Sequence, residues 1–340
     1  MRAKTVRSLL DYLASGVRRE DGQWRDWQIS RIGGGRNNLL YRASGPCGDL
    51  VVKLTVRDER DRASREYGAL AALREAGLAI APEPILLDRT SYRLPVVVQS
   101  WLEGEVSDTP PSTDDEWHRL AQHLASVHTI TPETAQMQLP WTTINANTAQ
   151  EGLWRVREQM GRIPPEAQPA SLQALLARFE ASRFPEWPKA PVTLCRLDNN
   201  ITNYIRRPGP WASVDWEYSG WGDPAFDVAN LLTHVTFQNV VASRRKWFAD
   251  CYCGLVEDES AAVRIQVYCD ILVVWWAARL ARYLYEIPRG QDRRLAEWPA
   301  GWQADYEAKY EHYLGLAKAA YAGHRLTCQV SARDRTIASR

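Results

Sequence analysis

Leu194-Cys195-Arg196-Leu197-Asp198-Asn199-Asn200-Ile201-Thr202-Asn203-Tyr204-Ile205, with Val214-Asp215-Trp216-Glu217 behind it, is the stretch on which the reading of this chain turns. An Asp and an Asn stand five residues apart on one loop, a short strand follows, and a second Asp comes after it. Asp198 has the chemistry to accept a hydrogen bond from an attacking hydroxyl. Asn203 and Asp215 are oxygen ligands of the kind magnesium takes, completed by triphosphate oxygens and water. Asp and Asn also form turns, so each residue alone has a bland reading. Their order, behind a lysine-bearing strand and a glycine hairpin, points to phosphoryl transfer, which asks for positioning and charge neutralisation more than covalent chemistry.

Two upstream segments supply the other parts. Gly33-Gly34-Gly35-Arg36-Asn37-Asn38 lies between two strand-like runs, where glycines let backbone N–H groups approach a phosphate that a Cβ would obstruct. No Walker-type Gly-Lys-Ser/Thr follows, and a flexible turn is the alternative. Lys53 sits in the apolar run Leu50-Val51-Val52-Lys53-Leu54, a costly place for an amine without a partner. Alternation puts Val51 and Lys53 on one face, with Val51 able to roof a flat base while Lys53 reaches the phosphates. A lysine snorkelling from an edge strand also fits. Glu66, on the next helix, is a candidate ion-pair partner, or else part of a solvated face beside Arg62 and Arg65.

Around these segments the chain divides. The run Trp24 to Ile32, the glycines, Leu39 to Ala43, a Gly45-Pro46 turn and Leu50 to Val56 read as an antiparallel meander. A helix over Asp61 to Ala76 and strands at Ile85 to Leu87 and Val96 to Trp101 complete a small α+β lobe, residues 1–103, which also carries an amphipathic helix from Ser8 to Val17. The pattern breaks at Glu103-Gly104 and Pro110-Pro111. Beyond, helices are expected over Asp114 to His128, Gln150 to Gln159, Leu172 to Ser182, Phe226 to Thr236, Ser243 to Leu255, Ala261 to Tyr285 and Ala304 to Ala322. They form a mainly helical lobe over 104–325, interrupted by strand-like runs at Asn203 to Arg206 and Ala212 to Trp216. Residues 326–340, rich in Arg, Ser and Thr, read as a loose tail.

A chain of 340 residues exceeds what one compact core usually holds. Lys+Arg 42 against Asp+Glu 41 gives a net charge of +1, with no basic stripe for a nucleic acid. Basic Arg2, Lys4 and Arg7 precede no long apolar core, so the N-terminus is not a signal peptide. The longest apolar stretch, Ile271 to Ala278, is short of the roughly 20 residues that span a bilayer. Cys47, Cys195, Cys251, Cys253, Cys269 and Cys328 lack disulfide or zinc spacing and read as buried reduced thiols. The expectation is a soluble cytoplasmic protein, monomer or homodimer, with no nucleic-acid or membrane partner.

Taken jointly, these motifs resemble the aminoglycoside phosphotransferase and choline kinase-like family, which has the protein-kinase-like fold. The resemblance runs from about Ile32 to His234. It rests on the glycine hairpin with Asn38 and Tyr41, on Lys53 and Glu66, and on Gln99-Ser100-Trp101-Leu102-Glu103-Gly104, which is similar to the family's inter-lobe hinge. The family's His-Gly-Asp…Asn loop falls on Arg196-Leu197-Asp198…Asn203, its Ile-Asp-Trp/Phe-Glu segment on Val214 to Glu217, and its Gly-Asp-Pro…Asp-Leu-Ala run on Gly222-Asp223-Pro224…Asp227-Val228-Ala229. The resemblance implies Lys53 on the α and β phosphates of ATP or GTP, held by Glu66, with Gly33, Gly34, Gly35 and Asn38 at the nucleotide. Backbone groups near Gln99 and Trp101 would bind the base. Asp198 would be the catalytic base, and Asn203 and Asp215 the Mg2+ ligands. Asp223 and Asp227 would brace the loop and cap the next helix, and His128 would hold a structural position.

The chain departs from the pattern at Arg196 and Leu197, where the family has His and Gly. Leucine in place of glycine demands ordinary backbone angles and room for a side chain. A non-catalytic, nucleotide-binding pseudokinase with a regulatory role is therefore the alternative to an enzyme. No Asp-Phe-Gly or Ala-Pro-Glu segment occurs, which removes the peptide-docking parts of a protein kinase. The acceptor is a small-molecule hydroxyl compound. Fifteen tryptophans, with Trp275-Trp276, Trp298 and Trp302 in the helical part, point to an aminoglycoside or other amine-bearing alcohol held on aromatic faces, or simply fill the core. Asp270 and Glu286 either contact such a cation or face solvent.

Overall fold

The computed structural model describes residues 2–15, 20–33, 38–291 and 298–323. Gly34, Gly35, Cys328 and the tail over 326–340 lie outside them, and the helix expected over Ser8 to Val17 instead runs Arg2–Leu13.

Helix α1 (Arg2–Leu13) precedes strands β1 (Gly22–Trp24), β2 (Trp27–Ile32), β3 (Asn38–Gly45) and β4 (Gly48–Thr55); helix α2 (Arg62–Glu75) and strands β5 (Pro84–Asp88) and β6 (Val96–Ser100) follow. The strands form one antiparallel sheet in the order β1-β2-β3-β4-β6-β5. The run Trp24 to Ile32, expected as a single strand, is folded into a hairpin: Trp24 pairs with Trp27 across Arg25-Asp26, and Arg25 takes a positive φ of 49°. Alternation then does the rest. Trp27, Ile29, Tyr41, Ala43, Leu50, Val52 and Val98 turn to one face and bury Val6, Leu9, Leu10 and Leu13 of α1 against it.

Strand pairing changes partners at Gly104. Strand β7 (Glu105–Val106) leaves the first sheet and pairs with β9 (Tyr204–Arg206), beside β10 (Ala212–Ser213), while β8 (Thr193–Cys195) pairs with β11 (Gly220–Gly222). Gly104 stands at φ 145°, where a Cβ would meet Ile205 Cγ2 at 2.4 Å and the Arg206 carbonyl oxygen at 2.8 Å. The residue must be glycine.

The helices are α3 (Asp114–Val127), α4 (Ala149–Met160), α5 (Ala170–Glu180), α6 (Pro224–Thr233), α7 (Ala242–Cys253), α8 (Ala261–Glu286) and α9 (Trp302–Tyr321). Their starts follow local chemistry. Thr113 and Glu116 form a capping box on α3, Thr148 caps α4, and Asp223 caps α6 with Pro224 at its first position. Helix α8 is the axis of this half. By length and composition it could cross a membrane, more than the short apolar run in the sequence implied, yet 83% of its apolar window is buried in the chain, against α4, α6 and α9. The molecule thus has a small antiparallel sheet region followed by a larger helical region, the kinase-like α+β fold expected from the sequence.

Candidate active site

The site is assembled where β4, α2 and the Val214–Tyr218 segment meet. Lys53, 2% exposed, ion-pairs with Glu66 at 2.6 Å and with Asp215, and lies 3.6 Å from Glu217. A lysine buried this deeply stays charged only because three carboxylates surround it: burial lowers its pKa, and the charges of Asp215, Glu66 and Glu217 raise it further. The snorkelling reading of Lys53 is thus set aside, and so is the solvated-face reading of Glu66, which is fully buried. Burial moves the Glu66 carboxyl up to about 7, against the pull of Lys53.

Glu217 is a second hub. Its carboxylate accepts from Asn38 Nδ2 at 2.8 Å and from Arg62, whose guanidinium also donates to the Tyr218 hydroxyl at 3.0 Å. Arg62 is 2% exposed and not on a solvated face. Its signal in the sequence was the spacing: Arg62 and Glu66 are i and i+4, so one cannot be buried in the site without the other. Asn38, expected at the nucleotide, spends its amide on Glu217 and ties β3 to the segment after β10.

The loop around Asp198 is hung from Asp227. That carboxylate accepts from the backbone N–H of Arg196 at 2.8 Å and of Leu197 at 3.1 Å, from Asn199 Nδ2 at 2.8 Å and, at 3.3 Å, from His128. Asp223 caps α6 through the Ala225 N–H and pairs with Arg264. Both residues act as braces, and His128, also bonded to the Tyr252 hydroxyl at 2.7 Å, is structural. His128, Cys195 and Asp227 present ligand-type atoms within 4.8 Å of one another, but the first and last are engaged and burial holds the Cys195 thiol well above its ordinary pKa.

Arg196 and Leu197 resolve differently from the expectation. Leu197 does not take ordinary backbone angles: its φ is 59°, the left-handed region glycine would use. Its side chain is 8% exposed, packed in the helical core. The two N–H bonds to Asp227 hold that conformation, and burial of the isobutyl group offsets its cost. Arg196, fully buried, donates to the carbonyls of Asp198 at 2.8 Å and Val214 at 2.9 Å, joining the loop to the segment that carries Asp215. Its guanidinium packs against the rings of Tyr204 and Trp216. Asp215 itself has φ 64°, so the strand expected over Ala212 to Trp216 ends at Ser213 and the carboxylate turns back to Lys53.

Asp198 is half-buried and raised to about 6, first by burial and then by the charge of Asp215, with Arg196 pulling the other way. Asn203 donates its amide nitrogen to the Asp198 carbonyl at 3.4 Å, leaving its oxygen as the ligand atom. Two carboxylates that disfavour each other's charge, with an amide oxygen beside them, form a hard-oxygen set that a divalent cation such as magnesium fits.

Of the remaining nucleotide candidates, Gly33 is exposed and a Cβ there would meet nothing within 4 Å. Gln99 is 4% exposed with its side-chain oxygen unpartnered, and Trp101 lies under Arg42. The backbone N–H of Trp101 is not available to a base, because it donates to the Asp49 carbonyl at 3.0 Å, whereas its indole N–H has no partner.

Helix α8 carries Trp275, Trp276 and Arg279, whose charge is felt at Asp198. The guanidinium of Arg279 lies over both indoles and over Tyr283, at 4.9, 5.5 and 5.3 Å. The tryptophan faces expected to receive an ammonium are therefore already covered by a cation. Trp298 and Trp302 pack on each other and on Tyr306. Glu286 is 5% exposed and paired with Arg282 and Arg162, so it neither faces solvent nor stands open to an acceptor; Asp270 accepts from Gln266. Arg279 was missed in the sequence, where its signal is an arginine at i+3 and i+4 from two tryptophans in an otherwise apolar helix.

Comparison with known proteins follows this geometry. A family model described as the phosphotransferase enzyme family matches residues 28–262. No curated protein sequence matches. Among solved structures, a choline kinase from Cryptosporidium parvum Iowa II superposes with a TM-score of 0.62 at 12% identity, covering 95% of this chain and 97% of that one. A spectinomycin phosphotransferase in complex with ADP and spectinomycin gives 0.60 at 14%, covering 92% and 97%. A choline/ethanolamine kinase family protein from Mesorhizobium loti gives 0.55 at 18%, covering 94% and 99%.

Proposed function

The chain belongs to the phosphotransferase enzyme family, and from that premise we propose that it moves the γ-phosphoryl group of ATP or GTP to a hydroxyl of a small molecule. The observation that carries this reading is the convergence of Lys53, Glu66, Asp215 and Glu217 beside Asp198, five groups drawn from four separated segments. The ADP bound in the spectinomycin phosphotransferase structure supports a nucleotide co-substrate.

In this mechanism Lys53 holds the α and β phosphates and Glu66 keeps its amine in place. Asn203 and Asp215 would hold magnesium, which when bound supplies charge neutralisation to the triphosphate. Asp198 accepts the proton of the acceptor hydroxyl as a bond forms from that oxygen to the γ-phosphorus and the bond from phosphorus to the β–γ bridging oxygen breaks. Its raised pKa suits it to hold a proton and give it up again near neutral pH. The carbonyl and side-chain groups at Gln99 and Trp101 are the base-recognition candidates, and Gly33 begins the phosphate loop. The free thiols among the described cysteines suit the cytoplasm.

The pseudokinase alternative rested on Arg196-Leu197; the glycine-like φ kept at Leu197, and the bonds by which Arg196 ties the Asp198 loop to Val214, support the catalytic reading. The test is nucleotide consumption with Mg·ATP and Mg·GTP against a broad panel of hydroxyl compounds, run beside the Asp198→Asn variant. Transfer to at least one acceptor, lost in the variant, is expected; tight nucleotide binding with no transfer to any acceptor would reject the reading.

A further inference from the structure

Lys53 has phosphates to hold, yet its amine is ringed by carboxylates. Glu66 stands at 2.6 Å and Glu217 at 3.6 Å, and Asp215 is bonded to it as well. Every negative charge held against the amine competes with a phosphate for it. The side chain that limits this competition is on α2. Arg62, one helical turn before Glu66, donates to Glu217 and takes up the charge of that carboxylate.

Arg62 is held in place on several sides. It is 2% exposed, its Nε lies 3.3 Å from Asp58, and the amino group that reaches Glu217 also donates to the Tyr218 hydroxyl at 3.0 Å. The Tyr218 ring packs against the guanidinium at 5.0 Å. Arg65, three residues on, donates to the Ser219 carbonyl at 3.1 Å, so α2 is fastened to the segment after Asp215 independently of the Lys53–Glu66 pair. Among the described residues, the cations within ion-pair distance of Glu217 are Arg62 and Lys53. Glu217 is 1% exposed, so water screens little of its charge. With Arg62 lost, that charge falls on Lys53.

We propose that Arg62 is a positioning residue of the phosphoryl-transfer site: its pairing with Glu217 keeps that carboxylate off Lys53 and holds α2 to the segment that carries Asp215, which leaves the Lys53 amine able to pass to the nucleotide phosphates. This role rests on the phosphotransferase reading for what Lys53 binds. Arg62 itself touches no substrate, and Glu217 harms nucleotide binding only when Arg62 is gone.

The test uses the full chain and the variants Arg62→Met, Glu217→Gln and the two combined. Calorimetry measures binding of Mg·ADP and of ADP without metal, and ADP release from Mg·ATP with the hydroxyl panel measures transfer. Arg62→Met should weaken both forms of nucleotide binding by about tenfold or more, the effect of removing a charged hydrogen-bond partner from a buried carboxylate. The combined variant should recover most of that affinity, because the stranded carboxylate is gone. A merely structural role predicts instead that the two losses accumulate. Unchanged nucleotide affinity in Arg62→Met, or a combined variant that binds no better than Arg62→Met, would overturn the inference, and transfer by the parent chain would then leave the phosphotransferase reading standing. The expected pattern of loss and recovery, with no phosphoryl transfer to any compound, would uphold the role of Arg62 and reject that reading. A parent chain that binds no nucleotide would reject both. If Arg62→Met fails to fold, Arg62→Gln, which keeps a donor toward Glu217 without the charge, takes its place with the same outcomes.

Discussion

Lys53 on the sheet pairs with Asp215, and Arg279 on α8, with Arg196, lowers the pKa of Asp198; the surroundings of Lys53 and Arg279 differ. Lys53 is enclosed by Glu66, Asp215 and Glu217, and Glu217 is in turn held by Arg62 and Asn38. Arg279 has indole and phenol rings around it and no carboxylate partner among the described residues. The first region has its counter-charges built in, so it is assembled before any ligand arrives. The second is met by aromatic faces instead of counter-charges. A buried cation ringed by carboxylates is fixed in place by charge, whereas a guanidinium on rings is held by stacking and the weaker pull of the ring faces.

The comparison can be broken most sharply at the residue between the two regions. Asp198→Asn keeps the shape and removes the base, and transfer should fall by about a thousandfold, within the range for a lost general base. Single-turnover phosphoryl transfer measures this, with Mg·ADP binding retained as the control; wild-type rates would remove Asp198 from the chemistry. Lys53→Met should come next. It strands the buried Glu66, while Glu217 keeps Arg62 and Asn38, so a loss of about 3 kcal/mol in unfolding free energy is expected alongside weakened nucleotide use. Denaturant unfolding with and without Mg·ATP separates the two effects, and a variant as stable as the parent would show that the carboxylates find other partners.

A pH profile sharpens the contrast further. Asp198 must be ionised to accept a proton, and its carboxyl is raised to about 6, so kcat/KM should be level above that value and fall tenfold per pH unit below it. Arg279 lowers the Asp198 pKa, so Arg279→Met should move the inflection upward; a downward or absent shift would separate the two residues. The smallest effect is at Leu197→Gly. Relief of a left-handed leucine, about 1–2 kcal/mol, nearly cancels the lost burial of its side chain, so stability should change by about 1 kcal/mol or less and activity should persist. A large gain in activity would instead mark Leu197 as a defect in the loop.

Much of the nucleotide half was legible in the sequence because its groups sit in short segments of fixed order. Lys53 in an apolar strand is implausible without a partner, and Asp198, Asn203 and Asp215 stand on one loop and the strand after it. Glu217 and Arg62 were less visible, since their importance lies in meeting each other across a separation of 155 positions. The bond from Asn38 Nδ2 to Glu217 was invisible for the same reason: nothing local says that this amide reaches a residue so far along the chain. The acceptor half was hardly legible. A row of tryptophans in a helix reads equally as core or cage, and only the position of Arg279 over their faces separates the two.

By itself the sequence determined the α+β division, the order of Lys53, Glu66, Asp198, Asn203 and Asp215 and most helix limits, because periodicity, caps and apolar runs act over a few residues. The tertiary structure alone decided that Leu197 keeps a glycine-like backbone, since that conformation is held by Asp227 from α6 and by the core around the side chain. It also decided what surrounds Arg279, since which side chains lie beside a cation depends on what the fold brings to it, and here it brings aromatic rings.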